Sequence, residues 1–261
     1  MKLPILIVGF FIAVCKGDQR IAGGQQATLS QYPFVVALLT NSGAGTVFRQ
    51  ACVGTILSNN AVLSAASCFF SGTVAHPASQ WRVRAGSANS NAGGSVLVVN
   101  RITTHPNFGP VNLNNDVAVL RTRFNIDLRP GVAEAARIAG AAYAFVPTNS
   151  VWGVGWGAVG QGASWSDELR HVEIFVINQQ TCAGRYSELG FTVTNNMVCA
   201  GWLDVGIRGQ CKGDNGGPLV DNGIVVGVFS WTRSCADYWY PAINTRVGRY
   251  TKWIVDTALS A

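Results

Sequence analysis

Gly213-Asp214-Asn215-Gly216-Gly217-Pro218 packs three glycines into six residues. Glycine at that density marks a turn between strands. Working outward, glycine stays frequent, 30 of 261 residues, which points to many turns between short strands. Short apolar or alternating runs recur at 34–39, 53–57, 62–66, 96–99, 117–120, 171–177 and 224–231, separated by Gly, Asn, Ser and Pro. That pattern predicts an all-β sandwich or barrel. Residues 250–258 differ, because Tyr250, Trp253, Ile254 and Thr257 fall at i, i+3, i+4 and i+7. This spacing predicts a C-terminal amphipathic helix. A short helix is expected over 178–186, with Asn178 as its cap.

The N-terminus reads as a secretory signal peptide over 1–17. Lys2 precedes an apolar run over 3–14, and small residues precede a cut after Gly17. The run is too short to span a bilayer. Cys15 leaves with that segment. Cys52, Cys68, Cys182, Cys199, Cys211 and Cys235 remain, an even set that implies disulfides in a secreted chain but permits any of fifteen pairings. Metal binding is the weaker reading, because no C-x-x-C pair or histidine cluster accompanies them. Residues 86–94 carry no carboxylate, so no calcium is expected there.

Hydrophobic residues make up 48% of the chain and charged residues 12%, a composition that excludes disorder. The formal net charge is +6, and about +4 once residues 1–20 are removed. Arg121, Arg123 and Arg129 form the nearest thing to a cluster and read as a solvated rim. No nucleic-acid, membrane, metal or cofactor partner is expected, and the protein is expected to be a monomer.

Three segments resemble the chymotrypsin-like (trypsin-fold) serine proteases. Residues 213–218 resemble the family's GDSGGP nucleophile loop. Residues 63–68 (Leu-Ser-Ala-Ala-Ser-Cys) resemble its TAAHC histidine loop, and 115–120 (Asn-Asp-Val-Ala-Val-Leu) its aspartate strand. Their order is the family's order. Residues 20–24 look like an activation site, and 155–157, 199–201, 230–231 and the terminal helix also match. The resemblance covers 21–261 as one protease domain, preceded by a short activation segment, 18–20. It implies two packed six-stranded antiparallel β-barrels with a cleft between them, a C-terminal helix, and the pairs Cys52–Cys68, Cys182–Cys199 and Cys211–Cys235. It also implies that cleavage after Arg20 frees the Ile21 amino group to reach Asp214.

The departures bear on function. The general-base position holds Ser67 and the nucleophile position holds Asn215; of the triad only Asp116 matches. A serine hydroxyl is no base near pH 7, and an amide has no useful nucleophile. The sequence therefore predicts an inactive homologue rather than an enzyme. Such a protein would bind peptides, protease inhibitors or a partner protease, with Gly213 and Asn215 as an oxyanion-hole-like pair. Gly209, Thr232 and Ala242 match the specificity pocket. Its floor is uncharged and its walls are narrowed, so the slot is either closed or limited to a small or medium apolar side chain. Ser230, Trp231 and Thr232 could pair with an extended peptide.

Two other readings stay open. One is a working serine-type endopeptidase with apolar preference, using unconventional groups, for which His76 and His105 are candidates by residue type; His171 reads as structural. The other is a glycan- or surface-binding module built on Tyr238, Trp239 and Tyr240, for which loop packing is the blander account.

Overall fold

The computed structural model describes residues 23–41 and 45–260. The expected signal peptide, and Arg20 and Ile21, lie outside the described residues.

Strand β1 (Gln25–Gln26) leads into β2 (Val35–Thr40), β3 (Arg49–Ile56) and β4 (Ala61–Ser64). A small hairpin of β5 (Phe70–Ser71) and β6 (Val74–Ala75) follows, then β7 (Trp81–Ala85), β8 (Ser95–Thr104) and β9 (Ala118–Thr122). Strands β2, β3, β4, β9, β8 and β7 close into a barrel in that order. The second half contains β10 (Arg137–Ile138), β11 (Ser150–Gly155), β12 (Arg170–Val176), helix α1 (Gln179–Ser187) and β13 (Met197–Gly201). It continues through β14 (Pro218–Asp221), β15 (Ile224–Trp231), β16 (Ala242–Arg246) and helix α2 (Thr251–Leu259). Here β12, β11, β14, β15, β16 and β13 run side by side, and pairing of β12 with β13 closes the second barrel.

Closure explains the burial pattern. In β7 alternate residues are buried, as one inward face requires. In β2, Val35 to Leu39 are all buried, because one face fills the barrel and the other is covered by the second half. Strands β2 with β11, and β3 with β14, meet across the boundary. There the glycine loop is sewn in, since Val53 N–H donates to Asn215 O at 2.8 Å. Gly216, at φ +81°, packs against Ser64 and the Val53 carbonyl, with no room for a Cβ.

Helix α1 is capped as expected, with Asn178 Oδ1 accepting from Gln180 N (2.9 Å) and Thr181 N (3.1 Å). Helix α2 buries Ile254 fully. The cysteines are joined as Cys52–Cys68, Cys182–Cys199 and Cys211–Cys235. Among the described residues no helix is long and apolar enough to cross a membrane.

Candidate active site

Ser67 lies on the single 3-10 turn Ala66–Phe69 that follows β4. Its N–H donates to Asp116 Oδ1 at 2.7 Å and its Oγ to Asp116 Oδ2 at 2.8 Å. Ser230 Oγ also donates to Oδ2, and Thr245 Oγ1 donates to the Asp116 carbonyl at 2.7 Å. Asp116 is fully buried. Burial pushes its carboxyl above the ordinary range, while donors from Ser230, Ser67 and Ala66 pull it back. The sequence brings these residues together from the ends of four strands, and the carboxylate is left well satisfied.

Asn215 Nδ2 donates to the Ser230 carbonyl at 2.6 Å. This occupies one lone pair of the backbone group expected to receive a peptide, and leaves the other. Gly213 sits beneath the Trp165 ring, and its carbonyl accepts from Gln50 Nε2 at 2.8 Å. Asp214 is buried between the amides of Gly157 (2.7 Å to Oδ1) and Cys211 (3.0 Å to Oδ2). Desolvation raises its carboxyl to about 6, against those two donors. Among the described residues it makes no ion pair.

Two spaces flank these groups. Gly209, Thr232 and Ala242 do line one slot, together with Gln210, Ala236 and Tyr240, but its volume is only about 10 Å³. That holds one water at most. Of the two expected states, closed or narrowed, the volume fits the closed one: Thr232 and Ala242 add side chains, and Ala236 Cα already stands 3.1 Å from where a Cβ at Gly209 would be. The other space is a cleft of about 600 Å³. Ser67, Asn215, Ser230 and Trp231 line it, and so do Ser71 and His76.

The trypsin family profile matches residues 21–254. The chain belongs to the trypsin family. It is 49% identical over 254 residues to "Trypsin, alkaline C" of Manduca sexta, covering 97% of each chain. "Trypsin, alkaline A" of the same moth is 48% identical over the same share. "Trypsin CFT-1" of Choristoneura fumiferana is 44% identical, again over 97% of each.

These relatives correct the expectation that the chain is not an enzyme. They are named as trypsins and match the chain almost end to end, which supports an enzyme. That expectation weighed two side chains, Ser67 and Asn215, and treated their chemistry as the chemistry of the whole cleft. A trypsin-family cleft has other walls, and here one of them carries a hydroxyl against an imidazole: Ser71 Oγ lies 2.8 Å from His76 Nε2.

The remaining candidates fall elsewhere. His105 packs edge-on to Tyr250 and Trp253, where burial lowers its pKa. His171 is buried, stacked on Trp152 at 4.5 Å, with Nδ1 2.8 Å from the Tyr32 hydroxyl. Trp239 is held by the Arg185 guanidinium, 4.0 Å over its ring, and by Glu188, which accepts from Nε1 at 3.2 Å. Glu188 also accepts from Tyr240, which is buried, while Tyr238 is exposed. Loop packing thus accounts for two of the three aromatics. Ser71 was missed in the sequence, although a serine and a histidine bracketing the turn at Gly72 were the available signal.

Proposed function

We propose that this trypsin-family protein is a secreted serine-type endopeptidase that draws its catalytic groups from outside the usual base and nucleophile positions. It acts on polypeptides with a small apolar residue, glycine or alanine, at the primary position. The observation that carries this reading is the open cleft of about 600 Å³ beside a slot of only about 10 Å³. The first leaves room for an extended peptide, and the second leaves none for a large side chain. The relatives named as trypsins support the reaction class. Secretion is supported by three disulfides in one chain.

The Gly213 and Asn215 amides are proposed as the carbonyl-oxygen donors, and residues 230–232 as the edge that pairs with the peptide backbone. Protease inhibitors or a partner protease would dock on the same edge of a monomer. Cleavage after Arg20 is proposed to give Asp214 an ammonium partner from Ile21, which a buried carboxylate favours.

The test is a substrate scan with the chain cleaved after Arg20. Peptides identical except for Gly, Ala, Leu, Phe, Lys or Arg at the primary position are compared by initial rate. Turnover confined to Gly and Ala supports the reading. Preference for Lys, or no turnover with any peptide, contradicts it.

A further inference from the structure

We propose that Ser71 and His76 form a nucleophile–base pair in the cleft, acting on carboxylic esters and peptides. This rests on reading the cleft as that of a working endopeptidase.

Both residues line the space that Ser67 and Asn215 also face. Of the other cleft hydroxyls, Ser67 and Ser230 donate to the buried Asp116, with no imidazole against them among the described residues. The Ser71 hydroxyl meets one at 2.8 Å, within reach of direct proton transfer. The pair is placed by the β5–β6 hairpin. Ser71 pairs with Val74 and Phe70 with Ala75, and Gly72 takes the turn at φ +61°, which fits a type II′ hairpin. The His76 amide then donates to the Phe69 carbonyl at 2.8 Å, which anchors the chain just past the hairpin. The imidazole lies nearly parallel to the Trp81 ring, 6.2 Å away at 20°. Its Nδ1 is buried with no partner among the described residues, so Nε2 and Ser71 make the ring's hydrogen bond.

The chemistry closes with water as the second reactant. Ser71 Oγ bonds to the carbonyl carbon while its proton passes to His76 Nε2. The tetrahedral adduct breaks its bond to the leaving alcohol or amine, which takes that proton from Nε2. Water then adds to the acyl carbon and gives a proton to Nε2. The carbon–Oγ bond breaks, Oγ recovers the proton, and the acid leaves. Among the described residues no carboxylate backs Nδ1. Disabling that support in the family's triad costs about 10⁴-fold in turnover, so a rate lower by about that factor is expected here.

The experiment uses the full chain cleaved after Arg20 and an alkyl fluorophosphonate, with the modified residue located by peptide mass mapping. A p-nitrophenyl ester and the alanine peptide are assayed in parallel. The expected result is one phosphonyl group on Ser71. Labelling and ester turnover should fall at least tenfold in Ser71→Ala and in His76→Gln. Far-ultraviolet circular dichroism and melting temperature matching the parent exclude misfolding of the variants. Should either variant misfold, the site of the label on the parent still decides. Labelling of another residue, no labelling, or undiminished ester turnover in Ser71→Ala overturns the pair. Peptide turnover that persists in Ser71→Ala overturns the pair and leaves the endopeptidase reading standing. Absent peptide turnover with His76-dependent labelling of Ser71 supports the pair and removes that reading.

Discussion

Ser67 Oγ donates to Asp116 Oδ2 at 2.8 Å, from the segment that resembles the trypsin family's histidine loop. With the Ser67 amide and Ser230, it lets a fully buried carboxylate persist without a histidine. Removing one donor exposes how far the fold depends on the arrangement. Ser67→Ala is expected to lower stability by about 1–3 kcal/mol, the usual cost of stripping a partner from a buried polar group. The loss should be larger at neutral pH than in acid, where Asp116 protonates more readily. Urea denaturation at the two pH values checks this, and equal losses would contradict it.

Asp214 makes the uncleaved chain sensitive to pH. Its folded-state pKa is about 6, raised from 3.8, so the folded state holds this proton more tightly than the unfolded state. The stability it contributes is complete below about pH 4 and is lost as pH rises through about 6. A shift of this size corresponds to about 3 kcal/mol. Urea midpoints of the precursor should therefore fall between pH 4 and pH 7. Asp214→Asn should flatten that fall and lower stability most in acid, because the amide offers one acceptor oxygen where the carboxyl offers two to Gly157 and Cys211. An unchanged slope in the variant would show that Asp214 is not the group responsible.

The same carboxylate dictates a glycine. A Cβ at Gly157 would stand 2.5 Å from Asp214 Cγ and Oδ2, with only backbone and a buried side chain to yield. Gly157→Ala is expected to destabilise by at least about 1–3 kcal/mol, the range for overpacking. Thermal unfolding measures it, and a neutral effect would mean that Asp214 moves freely.

The narrow slot gives a prediction about selectivity. The double change Thr232→Gly, Ala242→Gly removes the two wall side chains beside Gly209. It should raise kcat/KM for a leucine or phenylalanine peptide at least tenfold relative to the alanine peptide. An unchanged ratio would show that Ala236 and Tyr240, rather than those walls, close the slot.

Much of this was legible in the sequence, and the parts that were not share a cause. The run at 224–231 gave β15 with the same bounds, and Asn178 announced a capped helix, because period and capping are local properties. The partners of Asp116 were less legible. Ser230 and Thr245 act across 114 and 129 residues of chain, and no short-range pattern reveals them. Slot volume was not readable either, since it depends on Ala236 and Tyr240 folding over Gly209. The clearest failure concerned activity. Ser67 and Asn215 are only part of the cleft wall, and the Ser71–His76 contact lies on a hairpin that no apolar run marks.

The most direct measurement is hydrolysis of an alanine-site peptide by the chain cleaved after Arg20, beside a Ser67→His, Asn215→Ser variant built to supply the triad that the sequence resemblance implies. Saturable turnover above buffer is expected in the parent, slower than the variant by several orders of magnitude, and lost when a peptide inhibitor fills the cleft. A parent indistinguishable from buffer, beside an active variant, would contradict it, because the cleft would then be intact and the parent without working groups.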